Sequence, residues 1–177
     1  MKQTFLILYC ATTFISITGN KIFAQQLLNK QWTAFHNGTL AGYDHSNALV
    51  CDTLGNVFVT GQSFQNSATG SLTTVKYNST GAMMWTDNYK GVIVTAVNEG
   101  TDICMDPFGN VLATGTVAWN DGDFAILKFN QNGRIWAKDK EPYWFGSGYD
   151  EAREIATDAA GNIYCVASIQ SLSGNMQ

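Results

Sequence analysis

Histidine is scarce in this chain, with 2 in 177 residues, and that scarcity removes most chemistry built on imidazole. His36 and His45 stand near no Ser or Cys phrase resembling a nucleophile motif, so both read as surface or loop residues. Basic side chains are also few. Lys and Arg total 10 against 14 Asp and Glu, with no basic stripe to follow a nucleic-acid backbone. Long apolar runs are missing too: the stretch from Phe5 to Ile17 has 13 residues, too short for a membrane span. The four cysteines lack the paired spacing of a zinc site.

What is present is repetition. Asp52-Thr-Leu-Gly55-Asn56, Asp106-Pro-Phe-Gly109-Asn110 and Asp158-Ala-Ala-Gly161-Asn162 each precede an apolar run, with their glycines 54 and 52 residues apart. Trp32, Trp85 and Trp136 keep this period, as do Lys76-Tyr77-Asn78 with Lys128-Phe129-Asn130, and Gly81 with Gly133. Asp44, Asn98 and Asp150 each stand eight residues before the Asp of the next repeated phrase. One supersecondary unit of roughly 50 residues therefore recurs.

The unit can be read mechanically. Asp suits the first position of a type I turn, Pro107 the second and glycine the left-handed fourth, which closes a tight hairpin. Asn78-Ser-Thr-Gly81 and Asn130-Gln-Asn-Gly133 repeat that chemistry. Two hairpins per unit predict four strands: 47–52, 56–62, 71–78 and 82–89 in the first, and 102–106, 110–116, 123–130 and 134–140 in the second. The third unit begins with an inner strand over 152–158. In the second strand of each unit, Val57/Val59, Val111/Ala113 and Ile163/Cys165 fall on one face, while Phe58, Leu112 and Tyr164 fall on the other. Both faces are apolar, which predicts sheets covered on both sides, as in a radial stack of blades.

Gly55-Asn-Val-Phe-Val-Thr-Gly61, Thr74-Val-Lys-Tyr-Asn-Ser-Thr-Gly81 followed by Trp85, and Ile155-Ala-Thr-Asp158 resemble the SBBP-type seven-bladed β-propeller repeat, a cousin of the NHL-type propeller. The resemblance covers about Trp32 to Ser168 and implies an all-β propeller of bacterial exported proteins, with no catalytic residue. The chain is too short to close such a ring. It accounts for an N-terminal outer strand around Trp32, two complete blades and half of a third, which reads as the N-terminal piece of a longer protein. A short protein that closes by oligomerising is the alternative.

Residues 1–24 read as a signal peptide, with Lys2, the apolar core and a cleavage site after Ile22-Phe-Ala24. Helix is expected only there. A lipoprotein reading through Cys10 fails because Tyr9 stands where a small residue is wanted. Residues 25–177 then form the partial propeller, with repeats about 32–84, 85–135 and 136–177. This portion carries a net charge of −6, which favours solubility more than any named partner. Its Cys51, Cys104 and Cys165 read as buried free thiols inside strands, with a Cys51–Cys104 bridge left open.

The carboxylates are explained by structure. Asp52, Asp106 and Asp158 start turns; Asp44 and Asp150 read as backbone hydrogen bonders; Asp121-Gly-Asp123 lacks the further ligands of a calcium loop. No catalytic residue, metal site or cofactor is assigned, and the chain reads as a non-enzyme. In a four-stranded blade the short turns open on one side of the disc, and the variable segments 62–71, 90–101, 117–122 and 141–151 on the other. That second side carries Phe64, Trp119, Tyr143, Trp144, Phe145 and Tyr149, rings suited to glycan stacking or a protein contact. Trp119, Tyr143, Trp144 and Tyr149 are the expected ligand-binding residues, and a protein or carbohydrate at the cell surface is the expected partner. The other readings are a structural spacer in a larger surface protein, or a propeller-scaffolded lyase or glycoside hydrolase whose site lies in the missing part of the propeller.

Overall fold

The computed structural model describes residues 4–18, 21–38, 43–64, 70–91, 98–117, 123–139 and 150–168, with side chains described from Lys30 onward. The chain is all-β, and no helix occurs among the described residues. A first blade is formed by β3 (His45–Cys51), β4 (Val57–Phe64), β5 (Gly70–Tyr77) and β6 (Met83–Tyr89), paired antiparallel in that order. A second follows the same plan with β7 (Glu99–Met105), β8 (Val111–Val117), β9 (Asp123–Asn130) and β10 (Gly133–Asp139). The third has two strands, β11 (Glu151–Thr157) and β12 (Ile163–Ser168). The architecture is an incomplete propeller without a closed ring, as the repeat predicts.

Upstream, β1 (Thr4–Thr18) pairs antiparallel with β2 (Lys21–His36) from Thr4↔His36 to Thr18↔Lys21. The segment expected to be helical is therefore a strand here, its backbone groups paired across a hairpin rather than within a helix.

The turns hold as expected. The N–H groups of Gly55, Gly109 and Gly161 donate to the carbonyls of Asp52, Asp106 and Asp158 at 3.1, 3.1 and 3.0 Å, with φ of 78°, 79° and 83°. Each Asp Oδ1 accepts two further backbone N–H groups, such as those of Leu54 and Asn56 for Asp52. The Asn130 turn departs from the plan: Gly133 already pairs with Asn130 as the first residue of β10, so the connection is one step tighter than at Asn78.

Two β-bulges recur that the sequence pattern had not announced. In each inner strand the register shifts at the same place, setting aside Asn47, Thr101 and Arg153. In each outer strand it shifts one residue before the repeated tryptophan, at Gln31, Met84 and Ile135. A bulge admits one extra residue and sharpens local twist. It also explains why the inner strands begin at 45, 99 and 151 rather than 47, 102 and 152: pairing resumes beyond the bulge.

Blades pack face to face. Phe58 and Leu72 of the first blade meet Ile103, Val111, Ala113, Leu127 and Phe129 of the second, all buried, with Trp85 stacked on Phe129 at 5.4 Å and tilted against Phe58 at 5.9 Å. The opposite face of the first blade, Val57, Val59, Val75 and Tyr77, packs on Trp32 and Ala34 of β2. Every residue of β4 except Phe64 is buried, as is all of β8, which bears out the two-sided pattern. In β12 burial instead alternates, because nothing covers its outer face among the described residues.

Candidate binding face

The expected aromatic residues Trp119, Tyr143, Trp144 and Tyr149 lie outside the described residues, as does Phe145. What the structure shows is how the ends of the other variable segments on that side are held. Phe64, at the end of β4, is half-buried, and its N–H donates to Asp44 Oδ1 at 2.9 Å. The other oxygen of Asp44 accepts the Gly38 N–H at 2.9 Å. Asn98 does equivalent work one unit on: its Oδ1 accepts the Gly91 N–H at 2.9 Å, its Nδ2 donates to the Gly70 carbonyl at 2.8 Å, and its own carbonyl accepts from Gln62. Asp44 and Asn98 are thus buried backbone anchors at the foot of the loops, and Asp150 is buried in the matching place.

A polar rim on the inner strands escaped the sequence reading. His45, Glu99 and Glu151 occupy one repeat position at the loop-side end of β3, β7 and β11. His45 Nε2 lies 2.8 Å from Glu99 Oε1, and Asn47 Nδ2 donates to that oxygen at 2.6 Å and to the Gly100 carbonyl at 2.7 Å. Thr101, the next bulge residue, donates to the Ala152 carbonyl at 2.7 Å. The bulges therefore turn a side chain sideways to tie each inner strand to its neighbour. Arg153 is largely exposed and pairs with Glu151 at 2.9 Å. The repeat phase alone could have found this rim, had the inner strands been extended two residues upstream. Each of these carboxylates has a cationic or amide partner, an arrangement suited to hydrogen bonding rather than to a free acid and base.

On the outer strands Tyr89 donates its hydroxyl to Asp139 at 2.5 Å and carries the Arg134 guanidinium over its ring at 4.7 Å. Burial and the Asp139 hydrogen bond hold the Tyr89 hydroxyl firmly protonated. Arg134 also approaches Asp87 at 3.5 Å, and burial raises the Asp87 carboxyl above its ordinary value against that charge.

A cavity of about 40 Å³ opens beside β2, bordered by Ala34, His36, Ser46, Val59, Val75 and Tyr77 among others. His36 is half-buried rather than a loop residue, and burial lowers its pKa although Asp44 works against this. The three cysteines are free, but they are not all buried: Cys51 is exposed, because its side of β3 has no neighbouring strand over it, and Cys104 and Cys165 are half-buried. Burial, aided by Asp102 and Asp106, pushes the Cys104 thiol up to about 11. Among the described residues no group of His, Cys, Asp or Glu could hold a metal ion, and no helix is long and apolar enough to cross a membrane. Comparison with protein-family models and with curated proteins returns no match.

Proposed function

We propose that the chain is an exported, non-catalytic repeat protein of the SBBP-like propeller type, whose loop-bearing side binds a protein or a glycan at the cell surface. The observation that carries this reading is the division of labour between the two sides of the sheets. On one side the repeated Asp and Asn side chains are consumed in short turns. On the other, buried Asp44 and Asn98 pin the bases of longer segments that differ in every unit. Rigid bases with variable tips are how scaffolds present binding residues. The rim of His45, Asn47, Glu99 and Arg153 adds hydrogen-bonding groups near the axis, and the tryptophans at 119 and 144 supply rings for stacking.

The test is to measure binding to a panel of immobilised oligosaccharides and purified surface proteins, then to repeat it with Trp119→Ala and Trp144→Ala. These variants should keep their melting temperature and lose affinity by about 2 kcal/mol each, a usual hot-spot value. If they lose stability first, the rings pack between blades and the spacer reading replaces the binding one.

A further inference from the structure

We propose that Asn132 is a self-modifying residue: its side-chain amide is displaced by the backbone nitrogen of Gly133, while the chemically identical step at Asn37-Gly38 is spared. These are the two Asn-Gly steps in the chain. The reaction needs only those two residues and water. The glycine nitrogen gives its proton to solvent and attacks the asparagine Cγ, a C–N bond forms, and the side-chain nitrogen takes up a proton and leaves as ammonia. Water then opens the five-membered imide at either carbonyl. One opening gives aspartate; the other gives isoaspartate, with the main chain routed through the former side chain. Glycine favours the closure because no Cβ stands in the path of the ring.

The two steps sit in opposite surroundings. Asn132 is exposed at the tip of the hairpin between β9 and β10. Its side chain makes no hydrogen bond among the described residues, and its N–H donates to Asn130 Oδ1 at 2.8 Å. Gly133 pairs with Asn130 at the end of the ladder, and a Cβ on it would meet nothing within 4 Å. Opening that last pair frees the nitrogen at small cost, and the ring has room to close. Gly38 is held differently. Its N–H donates to Oδ2 of buried Asp44 at 2.9 Å, and a Cβ on Gly38 would lie 1.9 Å from the Phe64 carbonyl oxygen. A carboxylate against that nitrogen opposes loss of its proton, since two like charges would then face each other, and the packing leaves no space for the imide.

The reacting step also adjoins a tie between the blades. The Gln131 carbonyl accepts from Trp85 Nε1 and from Lys76 Nζ, each at 3.1 Å, and Gln131 Oε1 accepts from Lys76 Nζ at 2.5 Å. Isoaspartate adds one carbon to the main chain between this tie and β10. The Asn130–Gly133 pairing and the Gln131 contacts then no longer fit one register, and the junction loosens.

This inference goes beyond the binding reading and does not depend on it. The purified full chain is held in mildly alkaline buffer, sampled over weeks and digested, and mass spectrometry follows the exchange of an amide NH2 for OH in each peptide. In the native chain Asn132 should convert many times faster than Asn37. In guanidinium, where Asp44 no longer holds Gly38, that preference should disappear. Ion exchange should separate the product by its added negative charge, Asn132→Gln should abolish that product because its ring would need six members, and the isoaspartate-bearing fraction should unfold at lower urea than the parent. Asn37 keeping pace with Asn132 in the native chain, a preference that persists in guanidinium, or an Asn132 that reacts only when unfolded would each overturn the proposal. An acidic product that survives Asn132→Gln would also overturn it, and equal unfolding midpoints would overturn the loosening of the junction.

Discussion

The junction between the two complete blades and the junction between β2 and the first blade follow one plan with different amounts of material. Tyr77 and Phe129 hold the same repeat position, as do Val59 and Ala113, and all four are buried. Around Phe129 the neighbouring blade contributes Phe58, Leu72 and Trp85; around Tyr77 a single strand contributes Trp32 and Ala34, and a cavity remains. The difference teaches that a repeat residue's energetic weight is set by the sheet in front of it as much as by its own side chain.

The sharpest way to break this comparison is to truncate both rings. Phe129→Ala should cost about 4 kcal/mol, the usual loss for a fully packed aromatic. Tyr77→Ala should cost about 2 kcal/mol, because a void already adjoins it and fewer contacts are lost. Urea unfolding of the two variants checks the ratio, and equal losses would mean that the two junctions are energetically alike.

A second comparison sets turn against turn. Asp106 is buried and bonded to Lys128 Nζ at 2.8 Å, besides Asn110 and the Phe108 N–H, whereas Asp158 sits in the same turn at the surface. Burial works to raise the Asp106 carboxyl, but those hydrogen bonds outweigh it and hold its pKa below the ordinary 3.8. A depressed folded pKa contributes stability that is complete above the unfolded value and is lost as pH falls through the folded one. The native melting temperature should therefore decline below about pH 4. Asp106→Ala should remove about 3 kcal/mol at neutral pH and flatten that decline. Asp158→Ala should do much less of both, and thermal melts from pH 2 to 7 decide the order.

Glycine offers a smaller contrast. A Cβ on Gly109 would meet nothing within 4 Å, so Gly109→Ala should cost about 1 kcal/mol for its left-handed backbone alone. On Gly81 it would lie 2.7 Å from the Trp32 indole, so Gly81→Ala should cost about 2 kcal/mol and disturb the Trp32 fluorescence. The least effect concerns thiol labelling at neutral pH. Cys51 should react before Cys104, being exposed, although its own thiol is also raised by partial burial and by Asp52.

Much of the fold was legible because its information is local and repeated. Asp52, Gly55 and Asn56 specify a hairpin within five residues, and three copies in phase specify a stack. The bulges were hidden because Asn47, Thr101 and Arg153 share a position but not a residue type. The exposure of Cys51 was hidden for the reason Tyr77 and Phe129 differ: burial comes from a neighbour the residue's own strand does not encode. Of the candidate face, the anchoring of Asp44 followed from its place before the inner strand, while the His45–Glu99 pair joins residues 54 positions apart that no local motif connects.

The ties between blades have a kinetic corollary. Trp32 to Ser79, Asn47 to Gly100, Trp85 to Gln131 and Thr101 to Ala152 span 47, 53, 46 and 51 residues, and the longer reach of Gln131 to Asp52 spans 79. Loop closure between neighbours thus costs nearly the same at every step, however many blades are strung together. Relative contact order falls as such a chain lengthens, and each blade can condense on the one before it. Emerging from a ribosome, the first blade would have its complete set of strands by Tyr89 and could serve as the template for the second.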